Sequence, residues 1–425
     1  MNVRKHAARM LALSAVFALT AGCAAIGSAS NYTSTYTAED HNPELSASMN
    51  DFALEFYTAL DTHADAESIG PNRMVSPAGL AIALSMLKGG AEGKSAQELG
   101  KVLHMNGMTS EALDQAQKVA SDLLRGSDPS VRMEIANSLW SQDGIALKRD
   151  YVKKMKSNYE ARIQALDFTS QQSVKIINEW ASDHTHGTIE NVIDTPPGPD
   201  TVLLLTNAMY FKGEWSKPFE KSLTEERTFT TEDSQTLEVP TMLQSGRYEY
   251  VDSEGFQAIR LPYGESENFG MILALPDEGS SVKAFVESDL PNFETWSLAM
   301  EQQPGSIELP RFKLEDDLKL NQTLIALGMP SLFDSNRAEL KGLLEGQDAD
   351  ARGPSLSKIK QNTFIDVNEK GTEAAAVTTA FAAGSAAPSN EPFELKLNRP
   401  FFFAITDRTT GLIVFMGEVG NPLES

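Results

Sequence analysis

Apolar side chains recur along this chain at two spacings, and the change from one to the other divides it. Met49, Phe52, Phe56 and Leu60 fall three and four residues apart, which predicts an amphipathic helix over 46–62. The run SPAGLAIALSMLKGGA, beginning at Ser76, reads as a buried helix stopped by Gly89–Gly90. SAQELGKVL and EALDQAQKVASDLL continue helical, VRMEIANSLW (131–140) reads as a strand, and SQQSVKIINEWASDHT (170–185) returns to helical spacing. TVLLLTNAMYF (201–211), bounded by Pro199 and Gly213, has the unbroken apolar character of a strand buried on both faces. RTFTTED, QTLEVPTML, RYEYVD, FQAIRLPY, FGMILALP and SIELPRFKLE follow as short strand candidates, then DDLKLNQTLIALGM as a helix. PFFFAITDRTTGLIVFMGEV ends the chain as two apolar strands around a DRTTG turn. Helices dominate the first half and strands the second, an α+β pattern rather than alternating βαβ. No internal repeat and no linker interrupt residues 45–425, so a single domain is expected there.

The residues before that domain have another character. Arg4, Lys5 and Arg9 precede a short apolar core, Met10 to Leu19, and small residues follow. Residues 1–22 therefore read as a secretory signal, too short for a membrane span. The only cysteine, Cys23, stands directly after it in LTAGC, so no internal disulfide forms. LTAGC resembles a bacterial lipoprotein box, with Thr20 where leucine is commoner. Acylation of Cys23 is expected, with simple cleavage near Ala21 and release as the alternative. Residues 24–44 are small, polar and aperiodic, and read as a flexible tether. The protein is thus expected to be exported. A lipid anchor would hold it on the cell surface or periplasmic face, and without acylation it would be secreted. The net charge of −23, from 59 acidic and 36 basic side chains, argues against a nucleic-acid partner.

Candidate catalytic chemistry is sparse. Ser85 and Lys88 fit an S-x-x-K pattern, but they lie inside an apolar helix, and no S-D-N or K-T-G accompanies them. His184 and His186 are two residues apart and share no helix face, so a zinc site is not expected. No G-x-S-x-G, Walker loop or dinucleotide fingerprint occurs. The sequence reads as neither an enzyme nor a cofactor protein.

Four stretches carry a family resemblance. They are MVSPAGLAIALSMLKGGAEGKSAQEL, opened by Ser76 and Pro77; TNAMYFKGEWSKPF, with Asn207, Phe211 and Trp215; EKGTEAAAVTTA; and LKLNRPFFFAI. In that order, over about Leu45 to Pro422, they resemble the serpins, a family of serine protease inhibitors. The resemblance implies a serpin fold with three β-sheets, eight or nine helices and an exposed reactive-centre loop at about 369–392. It also implies a suicide-substrate inhibitor that acts as a monomer. A serine protease cleaves the loop, forms an acyl-enzyme, and is trapped as the loop inserts into the central sheet. The resemblance leaves cysteine proteases open as alternative targets, because the trap needs only a covalent acyl intermediate. A non-inhibitory serpin acting as a surface binding or structural module is the alternative. Such members tend to carry bulky or charged hinge residues, and this chain does not.

The mechanism implies a residue pattern that the loop can be read against. Of the 20 residues from Glu369 to Pro388, 8 are alanine. Alternate residues must fit beneath the opening sheet. Thr372, Ala374, Ala376, Thr378 and Ala380 form a set of small residues, expected to face inward. Glu373, Ala375, Val377, Thr379 and Phe381 form the other set, expected to face outward. A large or charged residue in the inward set would cost several kcal/mol by overpacking and desolvation. Gly371 supplies a flexible start. Counting from Glu369 as the hinge glutamate places the reactive bond at Ser385–Ala386, whereas counting back from Asn398 gives Ser389. The hinge is the more physical ruler, so Ser385 is expected. Small residues there suit elastase-like or subtilisin-like proteases, and no Lys or Arg between Lys370 and Lys396 invites a trypsin-like one. Trp215 matches the place where the family's sheet begins to open, and Glu369 and Arg311 match a family ion pair. Ser76, Gly79 and Asn207 match a polar cluster under the sheet's centre, with Gln361 where histidine is usual. Residues 109–125 carry only Lys118 and Arg125, so no heparin-like cofactor is expected.

Overall fold

The computed structural model describes residues 32–63, 70–345, 355–372 and 391–425. The helix-rich half runs α1 (Pro43–His63), β1 (Asn72–Val75), α2 (Pro77–Lys88), α3 (Gly93–Val102), α4 (Ser110–Gly126), β2 (Val131–Gln142), α5 (Arg149–Tyr159), β3 (Arg162–Leu166) and α6 (Gln171–His184). The strand-rich half opens with β4 (Leu203–Glu214), β5 (Glu225–Thr230), β6 (Thr236–Ser253), β7 (Phe256–Pro262) and β8 (Phe269–Pro276). Then come α7 (Val282–Ser288), α8 (Phe293–Leu298), β9 (Glu301–Pro310), β10 (Phe312–Lys319), α9 (Asn321–Leu327) and α10 (Pro330–Phe333). It closes with β11 (Leu356–Asn368), β12 (Gly371–Thr372), β13 (Phe393–Lys396), β14 (Phe401–Asp407) and β15 (Ile413–Val419). The α+β architecture agrees with the sequence pattern. The α-helices number ten among the described residues, against the eight or nine expected, because short turns such as α10 count.

The expected three sheets form two hydrogen-bonded networks. One has the order β10-β11-β12-β4-β2-β3. The other runs β1-β15-β14-β8-β7-β6-β9-β13, with β5 on β6. The second and third sheets merge because β6 is 18 residues long and changes partners along its length. Its start pairs with β5, its middle with β9 and its end with β7.

Helix α2 lies between the two networks. It is buried from Pro77 to Leu87, as its all-round apolar composition dictates. Ser76 caps it by accepting the Gly79 N–H at 3.2 Å. A Cβ added at Gly79 would stand 2.6 Å from Asn207 Oδ1, so glycine sets how closely helix and sheet approach. The other face of the six-stranded sheet carries a second core, in which Trp180 and Ile177 of α6 cover Trp140, Leu204, Ala208 and Phe364.

Two segments depart from the sequence reading. SIELPRFKLE is split between β9 and β10, which belong to different networks, and β10 takes in the Asp-Asp-Leu-Lys assigned to a helix. Leu314, Asp316 and Leu318 alternate inward, and the half-buried Asp316 accepts the Met74 N–H at 2.5 Å. Burial pushes the Asp316 carboxyl up to about 6, against the backbone bond from Met74. A carboxylate on the buried face hides the strand period. The flexible tether expected through residue 44 is also shorter. Asp122 of α4 accepts hydrogen bonds from the Tyr32 hydroxyl (2.6 Å), the Ser34 hydroxyl, and the Thr35 and Tyr36 N–H groups (2.8 and 3.1 Å). Cys23 and residues 1–31 lie outside the described residues.

Gly79→Ala is expected to lower the thermal midpoint, with a cost of about 1–3 kcal/mol from overpacking at Asn207 and Met209. Differential scanning fluorimetry against the unmodified protein checks this.

Candidate functional site

The residues named from the sequence converge on the seam between β11 and β4. The two strands pair in parallel from Leu356 with Leu203 to Phe364 with Tyr210. Above that point they part. β11 ends, the chain turns at Glu369 and Lys370, and β12 comes back between them. Thr372 pairs with Val367 on one side and Gly213 on the other, and Gly371 pairs with Asn368 and Glu214. Both of these ladders are antiparallel. Gly371 has φ +148, and a Cβ there would stand 2.1 Å from the Gly213 oxygen, so the backbone passes only because the residue is glycine.

Several contacts hold this turn. The Trp215 N–H donates to the Lys370 oxygen at 2.7 Å, and its indole N–H donates to the Asn368 oxygen at 2.9 Å. The Trp215 ring stacks on Tyr263 with centroids 4.2 Å apart, and the Tyr263 hydroxyl meets the Thr372 hydroxyl at 2.8 Å. The Phe219 N–H donates to the Glu369 oxygen at 2.7 Å. Arg311 donates through Nε at 2.9 Å, and also through Nη2, to one Glu369 carboxylate oxygen, which accepts the Thr224 hydroxyl as well at 2.6 Å. Glu369 is 6% exposed while the Arg311 side chain is 37% exposed, so the pair is half-buried rather than fully on the surface. Burial alone would raise its carboxyl pKa. The hydrogen bonds from Arg311 and Thr224 outweigh burial, and the net shift is downward.

A second cluster sits lower on the seam, on the face that meets α2. Gln361 and Asn207 are opposite one another across the seam, and the Gln361 amide donates to Asn207 Oδ1 at 2.8 Å. It also donates to the Ser76 oxygen and accepts the Ser76 N–H, each at 2.8 Å. The Ser76 hydroxyl donates to the Val414 oxygen at 2.7 Å, and Asn207 donates to Asn137 Oδ1 at 2.9 Å. The cluster ties both strands of the seam to the start of α2 and to β15.

A family model for serpins, serine protease inhibitors, matches residues 47–422. The chain belongs to the serpin family. It is 32% identical to human antithrombin-III over 390 residues, covering 89% of this chain and 82% of that protein. It is 30% identical to human leukocyte elastase inhibitor over 392 residues, covering 89% of this chain and all of that protein. Among solved structures, the thermophilic serpin tengpin in its native state superposes with a TM-score of 0.79 at 28% identity, covering 88% of this chain and 93% of that one.

The serpin structure brings Trp215, Arg311, Glu369, Gly371 and Thr372 together at the top of the seam. It brings Ser76, Gly79, Asn207 and Gln361 together at its middle. Glu373, Ala374, Ala375 and Ala376 of the hinge, and Ser385 and Ala386 of the reactive bond, lie outside the described residues. Sequence reasoning missed Tyr263, Thr224, Phe219 and Asn137. Of these only Phe219, which ends the quoted TNAMYFKGEWSKPF, had a signal that could have found it. Ser85 is buried and donates its hydroxyl to the Ala81 oxygen at 2.7 Å, so the S-x-x-K match leads to no activated nucleophile. His184 Nδ1 contacts the Trp180 oxygen and His186 Nε2 faces Glu134, so the two rings serve different neighbours.

The Glu369 carboxyl is more acidic folded than unfolded. Its contribution is therefore complete above the ordinary glutamate value of about 4.3 and is lost as pH falls through the lower folded value. Acid titration followed by limited proteolysis should show the turn loosening only in that range. Glu369→Gln should flatten the acid dependence.

Proposed function

We propose that this serpin is an irreversible, covalent suicide-substrate inhibitor of serine proteases, cleaved at Ser385–Ala386 and completed by insertion of the cleaved loop between β11 and β4. The observation that carries this reading is the pair of rungs at Gly371 and Thr372, which already occupies the top of the seam in the insertion direction. Continuing both registers downward gives each loop residue a place. Ala374 falls between Ile365 and Phe211, Ala376 between Thr363 and Met209, Thr378 between Gln361 and Asn207, and Ala380 between Ile359 and Leu205. These neighbours share the face that meets α2, which supports the small set as the inward one. The same register reaches Leu203, the first residue of β4, at Ala382. Ser385 lies just beyond the end of such a strand, and this supports the hinge ruler over Ser389.

Insertion replaces one parallel ladder with two antiparallel ones. Each added backbone hydrogen bond contributes about 0.5–1.5 kcal/mol net, and antiparallel pairing is slightly the better of the two per residue. That sum is the driving force for distorting a bound protease. Small residues around Ser385 favour elastase-like or subtilisin-like targets, and one relative bears the name leukocyte elastase inhibitor. Acylation at Cys23 would hold the inhibitor at a membrane surface; loss of labelled palmitate in Cys23→Ser checks that part.

Incubation with an elastase-like and a subtilisin-like protease, followed by denaturing electrophoresis, is expected to give a covalent complex. Cleavage near Ser385 with no complex, and no rise in melting temperature afterwards, would instead indicate the non-inhibitory alternative. Ala376→Glu is expected to convert the inhibitor to a substrate, because insertion would bury a charge beneath the sheet. Glu373→Ala, on the outward face, should leave complex formation intact.

A further inference from the structure

A cavity of about 280 Å³ lies beside the Trp215 end of the seam. Its walls include the buried rings of Trp215, Phe219 and Tyr248, and Arg260, only 6% exposed, is in its lining. Lys217 and Arg247, both exposed, bring it to the surface. The polar atoms of these rings are already engaged. The Trp215 indole N–H donates to Asn368, and the Tyr248 hydroxyl donates to Gln244 at 2.8 Å. Apolar ring surface is what remains for a ligand.

Arg260 is the unusual member. Its Nη2 donates to the Glu267 and Asn268 oxygens at 3.0 and 2.9 Å. A guanidinium carries five N–H donors. Those on Nε and Nη1 meet no hydrogen-bond acceptor among the described residues. The guanidinium packs directly on Gly270, where an added Cβ would stand 2.4 Å from its Cζ. Burial, with Arg408 nearby, holds its pKa down at about 10. Two carboxylates also border the cavity, but Arg408 donates to both oxygens of Glu249 at 2.5 Å, and Glu267 is exposed. Lys217 Nζ donates to the Ser245 oxygen at 2.9 Å and Arg247 Nη2 to the Gln302 oxygen at 2.8 Å, which leaves each with further N–H donors, so three cations border ring-lined space in a chain of net charge −23.

We propose that this cavity binds a small aromatic carboxylate, its ring against Phe219 and Tyr248 and its carboxylate on Arg260, with Lys217 and Arg247 at the mouth. The volume is just under the usual range of about 300–1,000 Å³, which limits the ligand to one ring with a short acid arm. The consequence for regulation rests on the insertion reading above. Trp215 and Phe219 are also the residues whose backbone N–H groups hold Lys370 and Glu369. A ligand fitted to the cavity of the uninserted state favours that state by its differential affinity. Occupancy slows insertion and shifts cleaved protein from trapped complex to spent substrate.

Calorimetric titration of the full chain with 3-phenylpropionate tests the site without reference to any protease. Saturable one-to-one binding is expected. It should be weakened at least about tenfold for the neutral 3-phenylpropanamide, and likewise in Lys217→Ala/Arg247→Ala and in Arg260→Met, as loss of charge-assisted hydrogen bonds requires. The surface double variant keeps the test valid should Arg260→Met fold poorly. Absence of saturable binding at millimolar ligand, or equal binding of the amide or by the double variant, overturns the site. The coupling is read from the first thermal transition, which the ligand should raise in the unmodified protein and not in the double variant. An unchanged transition at saturation overturns the coupling. A protein that binds the ligand yet never traps a protease fails only the inhibitory reading.

Discussion

Strands β11 and β4 are hydrogen-bonded to each other along most of their length, yet no short connection joins them and nothing in their own sequences requires them to be neighbours. Parallel pairing is the weaker of the two ladder geometries per residue. Here it spans Leu356–Phe364 against Leu203–Tyr210 and stops where Gly371 and Thr372 enter. Everything around the seam bears on whether it stays closed. Trp215, Tyr263, Phe219, Arg311 and Thr224 fix the turn that feeds β12 into the top. Helix α2 supports the middle from one face, and α6 covers the other. A seam held this way can be entered only from the end already parted.

The polar cluster at the middle shows what entry would demand. Neighbouring strands stand about 4.8 Å apart, so a strand placed between β11 and β4 separates Gln361 from Asn207 by about twice that distance. Their 2.8 Å hydrogen bond cannot survive. A buried amide left without a partner costs about 1–3 kcal/mol. On the proposed register Thr378 arrives at this rung, and its hydroxyl can both donate and accept. The loop's one inward threonine below the hinge thus falls where a polar group is needed, and its alanines fall at apolar rungs such as Ile359–Leu205. Gln361 does not titrate, so the cluster keeps its hydrogen bonds across the ordinary pH range. Acid sensitivity at the seam rests instead with Glu369.

Much of this was legible in the sequence because the signals were local. The apolar run of α2, the continuous apolar character of β4, the paired C-terminal strands and the small alternate residues after Gly371 each report their own surroundings. What was not legible was assembled from a distance. Tyr263 reaches Thr372 from β7's far end, Thr224 reaches Glu369 from a loop, and Asn137 reaches Asn207 across a strand pair, and none of these has a flanking pattern. β10 was obscured for a related reason. Asp316 is a half-buried, inward-facing carboxylate whose partner, the Met74 N–H, belongs to the other network, so its polarity masked the period of two. The docking of Tyr32–Tyr36 depends on one acidic residue, Asp122, in the middle of a helix whose own amphipathic pattern gives no hint of it.

The outward face of the seam changes the meaning of the loop's second alternating set. The sequence alone places Glu373 and Phe381 outward because they are the charge and the ring of the loop, beside an inward set that is uniformly small. The structure puts a second core there. Leu204, Ala208 and Phe364 are buried beneath α6 with Trp140 and Trp180. The 185–200 connector also crosses this side, with Lys360 donating to the Val192 oxygen at 2.5 Å and Lys358 to the Pro197 oxygen at 3.1 Å. On the proposed register Val377 arrives beside Ala208, Phe381 beside Leu204, and Thr379 beside Thr206 and Lys360. Glu373 stays near the entry beside Lys212 and Asp366, both partly exposed. Val377 and Phe381 thus each meet an apolar neighbour on β4, Ala208 and Leu204, and a polar one on β11, Asn362 and Lys358, while Glu373 remains at the mouth. On that register Phe381 would cover Leu204 beside the exposed Lys358, so its gain would fall below the roughly 1.5–3 kcal/mol of a fully buried phenylalanine. The connector held by Lys358 and Lys360 lies over the lower rungs, so it must yield before that contribution is collected. On the proposed register the last part of insertion would therefore be the most obstructed.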